Sequence, residues 1–415
     1  MRDGEALKRP LKLPQLDLFR FFAICGVISV HSSSTAAAVD GIHSKYFPIF
    51  NVMNIFFKFG TPCFIFLSSF VLFYNYYNRP DTGALIARFY RKRTLYIIVP
   101  YLLISVAYFF FNKGINHSPW LGWHDEAARF LKKLSTGSVH THLYFVFINM
   151  QFYLLFPLFL VLLKKLKWAA VWAFPVGLAL QWAYVLLNHE YKFQWYIPKG
   201  SLSITYLSYY MLGAFTAIYF DRLRLWLTSS WKQMNTVHRT ATIALTVSWL
   251  AVAAAHVSIW YMSRLHNTRF NSLLFELLWN VHTLLSAYFL MFAAFQLHRL
   301  FAANRLIRLL SVIGQLSFAI YLVHPMILAL YRKTGGGISP FVSEYVFWIW
   351  GGFAAALLVS VAGVHLLFRY VPGIWVLLGG KPAYLGQRAG STGAGVGMST
   401  AAFRSAGDAN RKAKA

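Results

Sequence analysis

The feature that most constrains this chain is a series of about ten apolar stretches, each roughly 17 to 25 residues long and able to cross a ~30 Å hydrocarbon layer as a helix. They fall near residues 16–37, 48–77, 95–112, 143–163, 168–187, 203–220, 240–259, 277–297, 309–331 and 345–368. With 58% hydrophobic and 12% charged residues over 415 positions, the chain lies far from the soluble balance of about half and a quarter. A water-soluble globule is excluded. The expected fold class is all-α, a polytopic membrane protein with about ten transmembrane helices.

A net charge of +27 would fit a nucleic-acid-binding protein if the 39 Lys and Arg gathered on one soluble domain. They sit instead in the gaps between apolar stretches, so no nucleic-acid partner is expected. Alternate gaps hold the larger share of them, beginning with Lys8, Arg9 and Lys12 ahead of the first stretch. Under the positive-inside rule this places both termini in the cytoplasm. The first stretch follows basic residues as a signal peptide does, yet it contains Arg20 and lacks a small-residue cleavage pattern, so it reads as a retained helix. Residues 1–375 are expected to form the membrane domain. Residues 376–415, rich in Gly, Ala, Ser and basic side chains, read as a disordered cytoplasmic tail. The longest outer gap, 113–142, carries Trp120, Trp123 and His117, His124, His140 and His142, enough to cover a pocket mouth or lie at the membrane interface. Cys25 and Cys63 both fall inside apolar stretches, which leaves no disulfide framework and no zinc cluster.

Ionisable residues at membrane depth are costly, so each one calls for a reason. Arg20 and His31 are eleven positions apart. At about 100° per residue that is three turns plus ~20°, so both share one face of the first helix, roughly 16 Å apart along its axis. A guanidinium at one level suits a phosphate or other anion, and an imidazole at the other suits proton removal from a hydroxyl. The plainer alternative pairs Arg20 with Asp17 one turn earlier and leaves His31 as a core histidine. His324 and Pro325 stand at the depth of His31 in the ninth stretch, where the proline frees a backbone carbonyl one turn back. His142 opens the fourth stretch, followed by Tyr144 and Gln151. Three histidines at one depth do not make a metal site here, because no carboxylate is at hand. In the second stretch Gly60, Thr61 and Pro62 permit a helix break and Ser68 and Ser69 permit close packing, Ser68 being also a candidate substrate contact. Arg88 to Arg93 (RFYRKR) sets cations among aromatics at the inner membrane face, able to meet anionic lipid or a phosphate-rich ligand, or to serve only as a topology signal.

The acids argue by absence. Only Asp17 and Glu276 approach a stretch, each near an end. Neither the carboxylate pair of a glycosidase nor the buried acid of a proton pump is supplied. Metalloprotease and Gly-x-Ser-x-Gly hydrolase motifs are absent from the sequence as well.

Five segments taken in order resemble the acyltransferase 3 family of integral-membrane O-acyltransferases, in its standalone form without an extracytoplasmic hydrolase-like domain. They are LDLFRFFAICGVISVH with Arg20 and His31, GTPCFIFLSSFVL at 60–72, Arg91-x-Arg93 followed by Pro100 and Tyr101, HLYFVFINMQFYLLFP at 142–157, and IGQLSFAIYLVHP at 313–325. Ser69 stands where glycine is usual, and Asn149 and Met150 where many relatives carry acids. The resemblance implies transfer of an acyl group, commonly acetyl from acetyl-CoA, to a hydroxyl of a cell-surface, secreted or lipid-linked carbohydrate such as an exopolysaccharide. It implies a multi-pass protein of a bacterial cytoplasmic membrane with no metal. In that setting Arg91, Arg93 and Arg20 would receive acyl-CoA, and His31 would act as base with His324 and His142 orienting it. Tyr144 and Gln151 would contact donor or acceptor. Direct transfer and a covalent acyl-enzyme both stay open. The competing expectation is a polysaccharide or lipid-linked sugar exporter, in which the same polar residues line a passage and no bond is made.

Overall fold

The computed structural model describes residues 11–386 apart from 81, 194 and 336, and those residues form helices and no strand. Helix α1 (Gln15–Thr35) is prolonged by a π-turn, Ala36–Asp40. Next, α2 (Phe47–Ile55) and α3 (Gly60–Tyr76) make one span interrupted by a 3-10 turn, Phe56–Phe59. The break comes where Gly60, Thr61 and Pro62 allow it. Helix α4 (Gly83–Arg93) starts at Thr82, whose hydroxyl accepts from the Leu85 N–H, and runs through a π-turn into α5 (Val99–Ile115). Capping the first free amide of a helix in this way is worth about 1 kcal/mol.

Helix α6 (Trp123–Ser135) occupies the long gap. Its Phe130 packs on Phe109 with ring centres 5.2 Å apart, and Lys113 binds Glu126 at 2.7 Å, while Trp123 and Leu131 face outward. Of the two expectations for this loop, the helix therefore fits the interfacial one, an amphipathic element with apolar side chains left to the bilayer surface.

The chain continues through α7 (Tyr144–Lys165), α8 (Lys167–Tyr191), α9 (Leu207–Ile218), α10 (Phe220–Thr228), α11 (Thr236–Leu265) and α12 (Ser272–Phe301). Asn235 and Asn271 cap α11 and α12 with side-chain oxygens on the His238 and Leu273 amides. Helices α13 (Arg305–Gln315) and α14 (Ser317–Arg332) meet at a 78° bend, and α15 (Ser343–Tyr370) follows.

Among the described residues eight helices, counting joined ones together, are long and apolar enough to cross a membrane, or nine if the bent α13–α14 pair is one span. The all-α polytopic fold expected from the sequence stands; of its ten apolar stretches, 203–220 is not among these candidates. There a 3-10 turn leads into α9, only 12 residues and so ~18 Å long, buried on nearly every side against α3 and α8. Apolarity alone does not separate a helix facing lipid from one enclosed by protein. The contact with α3 explains the serine found where glycine is usual. Gly213 of α9 faces Phe66 and Ser69 with no room for a side chain, and the Ser69 hydroxyl donates to the Tyr210 carbonyl. Close approach is preserved because the missing side chain has moved to the partner helix.

The tail begins later than residue 376. Helix α16 (Trp375–Leu378) buries Leu378 and sets Trp375 against Tyr96, with ring centres 5.5 Å apart. The three of its four apolar residues that fall in the expected tail, Val376, Leu377 and Leu378, are diluted in the composition of the whole tail. Lys381–Ala415 is a separate unit, described as far as α17 (Ala383–Gly386); the rest of the expected disordered segment lies outside the described residues.

Candidate active site

Helices α1, α3, α7 and α14 enclose a chamber of 180 Å³ lined by Arg20, Arg93, Ser68, Asn149 and Tyr153 among apolar side chains. Val71 and Arg93 also line an adjoining recess of 290 Å³, to which Arg79 and Lys92 contribute. Arg20 donates to Asp17 at 2.5 Å, and the other Asp17 oxygen accepts from Gln315 at 3.0 Å. The Arg20 side chain nonetheless stays 31% exposed and lines the chamber. Asp17 thus fixes a guanidinium that still faces the cavity. Backbone contact sets this geometry, since Gly314 lies directly on the Asp17 carbonyl, where a side chain would collide. Arg93 rests over the rings of Tyr153 and Phe89 at 4.9 and 5.5 Å and has no carboxylate partner among the described residues. Arg91 is exposed and lines neither cavity, so the pair expected from the sequence reduces to Arg93 joined by Arg79 and Lys92. Side chains two apart on a helix point to different faces.

His31 lines a second chamber of 550 Å³ together with Tyr144, whose hydroxyl donates to Thr61 at 3.3 Å. Behind it the histidines expected at one depth do converge. Ring centres are 5.4 Å apart for His31 and His324 and 5.8 Å for His324 and His142. The series extends to His140, whose Nδ1 lies 2.9 Å from that of His142. Tyr108 stacks on both, 4.5 and 4.8 Å away. His324 Nδ1 stands 3.0 Å from the Tyr321 carbonyl and 3.1 Å from that of Ile320. The first of these is the carbonyl that Pro325 leaves without an amide partner. Two acceptors require that Nδ1 carry the hydrogen, so Nε2 presents its lone pair, and it has no partner. Arg332 ties the end of α14 to α1 by donating to the His31 carbonyl and to Ser34.

The two chambers share no lining residue. Adjacent positions divide between them: Tyr144 and Thr61 face the His31 side, Phe145 and Phe64 the arginine side. On the arginine side Phe64, Phe145 and Tyr321 form a run of rings, with centres 5.8 and 5.1 Å apart in succession, and Tyr321 also touches His142 and His324. The single polar stripe expected along α1 is thus interrupted. Between Arg20 and His31 the helix presents Ile24, Val27 and Ile28, all packed.

Ser68 lies in the arginine chamber, 3.4 Å from the Tyr153 hydroxyl. Gln151 does not reach either chamber. Its amide donates to the Ser201 carbonyl at 2.7 Å, and its oxygen accepts from the Ser203 amide at 3.0 Å, so it holds the turn before α9. Gln151→Ala is expected to lower stability by about 1–3 kcal/mol through the unpaired backbone groups, read as a lower Tm in detergent. Sequence reading placed His140 only in the long outer loop, and it assigned Tyr321 and Lys58 no role. The alternation His140-x-His142 was the available signal for the first.

Comparison with known proteins identifies the family. A family model described as an acyltransferase domain matches residues 13–365. The chain belongs to the acyltransferase 3 family. As a family member it is a multi-pass membrane protein of an acyltransferase type. Among curated proteins it is similar to the probable poly-beta-1,6-N-acetyl-D-glucosamine export proteins of Staphylococcus aureus strains MSSA476 and MRSA252. Each is 22% identical over 282 residues, which cover 65% of this chain and 69% of the relative. No solved structure matches. The acyltransferase 3 match spans every segment that lines the two chambers.

Proposed function

We propose that this protein transfers an acyl group, commonly acetyl, from cytoplasmic acyl-CoA to a hydroxyl of a carbohydrate. The observation that supports it best is a pair of chambers with no lining residue in common, one holding Arg20 and Arg93 and one an accessible imidazole, which on this reading meet at the rings of Phe64, Phe145 and Tyr321. Arg79, Lys92 and Arg93 would meet the donor's phosphates, for which the guanidinium fork is suited. The apolar chamber beyond would take the pantetheine arm past Ser68 and Arg20. On this reading the arginine side faces the cytoplasm.

Where the chambers meet, the acceptor hydroxyl attacks the thioester carbonyl carbon while His31 removes its proton. The tetrahedral intermediate then collapses, the C–S bond breaks, and the thiolate takes that proton back from the imidazolium. Ester and free thiol are the only products. His324, fixed by Tyr321 and Ile320, holds its ring against His31 and limits the orientations His31 can adopt. A base placed in this way contributes a factor of about 10²–10⁴.

Export is the second reading, favoured by the printed names of the curated relatives. Incubation of the purified protein with radiolabelled acetyl-CoA, followed by mass spectrometry of glycans from cells with and without the gene, separates the two. Transfer adds one acyl mass to a defined sugar and releases thiol. Unchanged glycans with no thiol released, together with loss of surface polysaccharide, would establish export.

A further inference from the structure

Lys58 lies in the 3-10 turn Phe56–Phe59, deep within the span Phe47–Tyr76, and lines the His31 chamber. The neighbouring Phe57 carbonyl sits against Gly26 of α1, which fixes the turn midway between Arg20 and His31 and not at a membrane edge. A lysine at such depth ordinarily pairs with an acid or a carbonyl. Here the Lys58 ammonium has no carboxylate and no hydrogen-bond acceptor among the described residues. Its contact is the ring of Trp260, 4.2 Å from Nζ to the centroid. Arg264 approaches the same ring at 4.7 Å and donates to the side-chain oxygens of Asn51 and Asn54, which are neutral. Glu276 is the one acid lining the chamber, and Lys199 holds it at 2.5 Å.

The chamber therefore carries positive charge that nothing in the described protein balances. It also carries Trp260, Trp279 and Phe275, flat apolar faces on which the C–H side of a pyranose ring stacks. Its 550 Å³ falls within the range of small-ligand sites. A neutral sugar would satisfy the rings and leave Lys58 unpaired. We infer that the acceptor held in this chamber is a carbohydrate bearing an anionic substituent, carboxylate or phosphate, which pairs with Lys58 while its ring lies against Trp279 or Phe275. The inference deepens the acyl-transfer reading, from which the word acceptor comes, and makes Lys58 the residue that sets specificity.

The test is a binding titration on the full-length protein in detergent, with tryptophan fluorescence as the signal and no acyl-CoA present. The probes are 4-nitrophenyl β-glucoside, 4-nitrophenyl β-glucuronide and 4-nitrophenyl β-glucoside 6-phosphate. The protein is expected to bind at least one anionic probe ten-fold or more tighter than the glucoside, and the tighter of the two identifies carboxylate or phosphate. Lys58→Gln is expected to abolish the preference and Lys58→Arg to keep most of it, each variant first shown to bind acyl-CoA normally. Equal affinities, no binding of any probe, or a preference that survives in Lys58→Gln would overturn the inference. An intact preference in a protein that transfers no acyl group would count against the transferase reading alone.

Discussion

His31→Ala is expected to cut acyl transfer by about 10²–10⁴-fold, the loss typical of removing a positioned base, equivalent to about 3–5 kcal/mol of activation free energy. The effect should fall on kcat. Acyl-CoA binding should be unchanged, because the arginine chamber shares no residue with the one His31 lines. His31→Gln keeps a polar group of similar size and should be as inactive, which distinguishes loss of a base from loss of packing. Wild-type turnover in a folded His31→Ala protein would remove the imidazole from the mechanism. The surrounding geometry makes that readout interpretable: Arg332 binds the His31 carbonyl and not its ring, so the α1–α14 tie survives the substitution.

The second large effect concerns the donor. Arg93→Ala should raise the KM for acyl-CoA ten-fold or more and leave kcat within a few-fold, since Arg93 alone among the arginines lines both the recess and the chamber. A charge-assisted pair with phosphate is worth about 1.5–3 kcal/mol, consistent with that size. Arg91→Ala, two residues away but exposed and outside both cavities, should change KM less than two-fold. Isothermal titration with non-hydrolysable acetyl-CoA analogues reads both. Equal losses at the two positions would mean that the segment acts as a diffuse positive surface, and an unaffected Arg93→Ala would place the donor elsewhere.

Much of this site was legible in the sequence because helical periodicity is a strict rule. A separation of eleven positions does bring both Arg20 and His31 to cavity-lining positions on α1, and the His-Pro pair of α14 does free the carbonyl that then anchors His324. Periodicity on one helix says nothing about what neighbouring helices interpose. Phe64 and Phe145, ordinary apolar residues, line the Arg20 chamber only, and that chamber shares no residue with the one His31 lines. Lys58 was visible as a charge within a span, but its lack of a partner is a property of the five helices that surround its chamber. Gln151 failed as a site residue for the same reason, its amide having been taken by a turn fifty residues later. The short α9 escaped detection as such because a fully enclosed helix and a lipid-facing one have the same hydropathy.

The layer of Phe64, Phe145 and Tyr321 has a further consequence for a cell that stores energy as an ion gradient. A water-filled bore joining the two faces would conduct protons and run that gradient down, whereas narrow apolar constrictions stay dry and resist ion flow. A run of three packed rings beside the proposed donor path would keep that path dry between turnovers, so that transfer need not short-circuit the membrane.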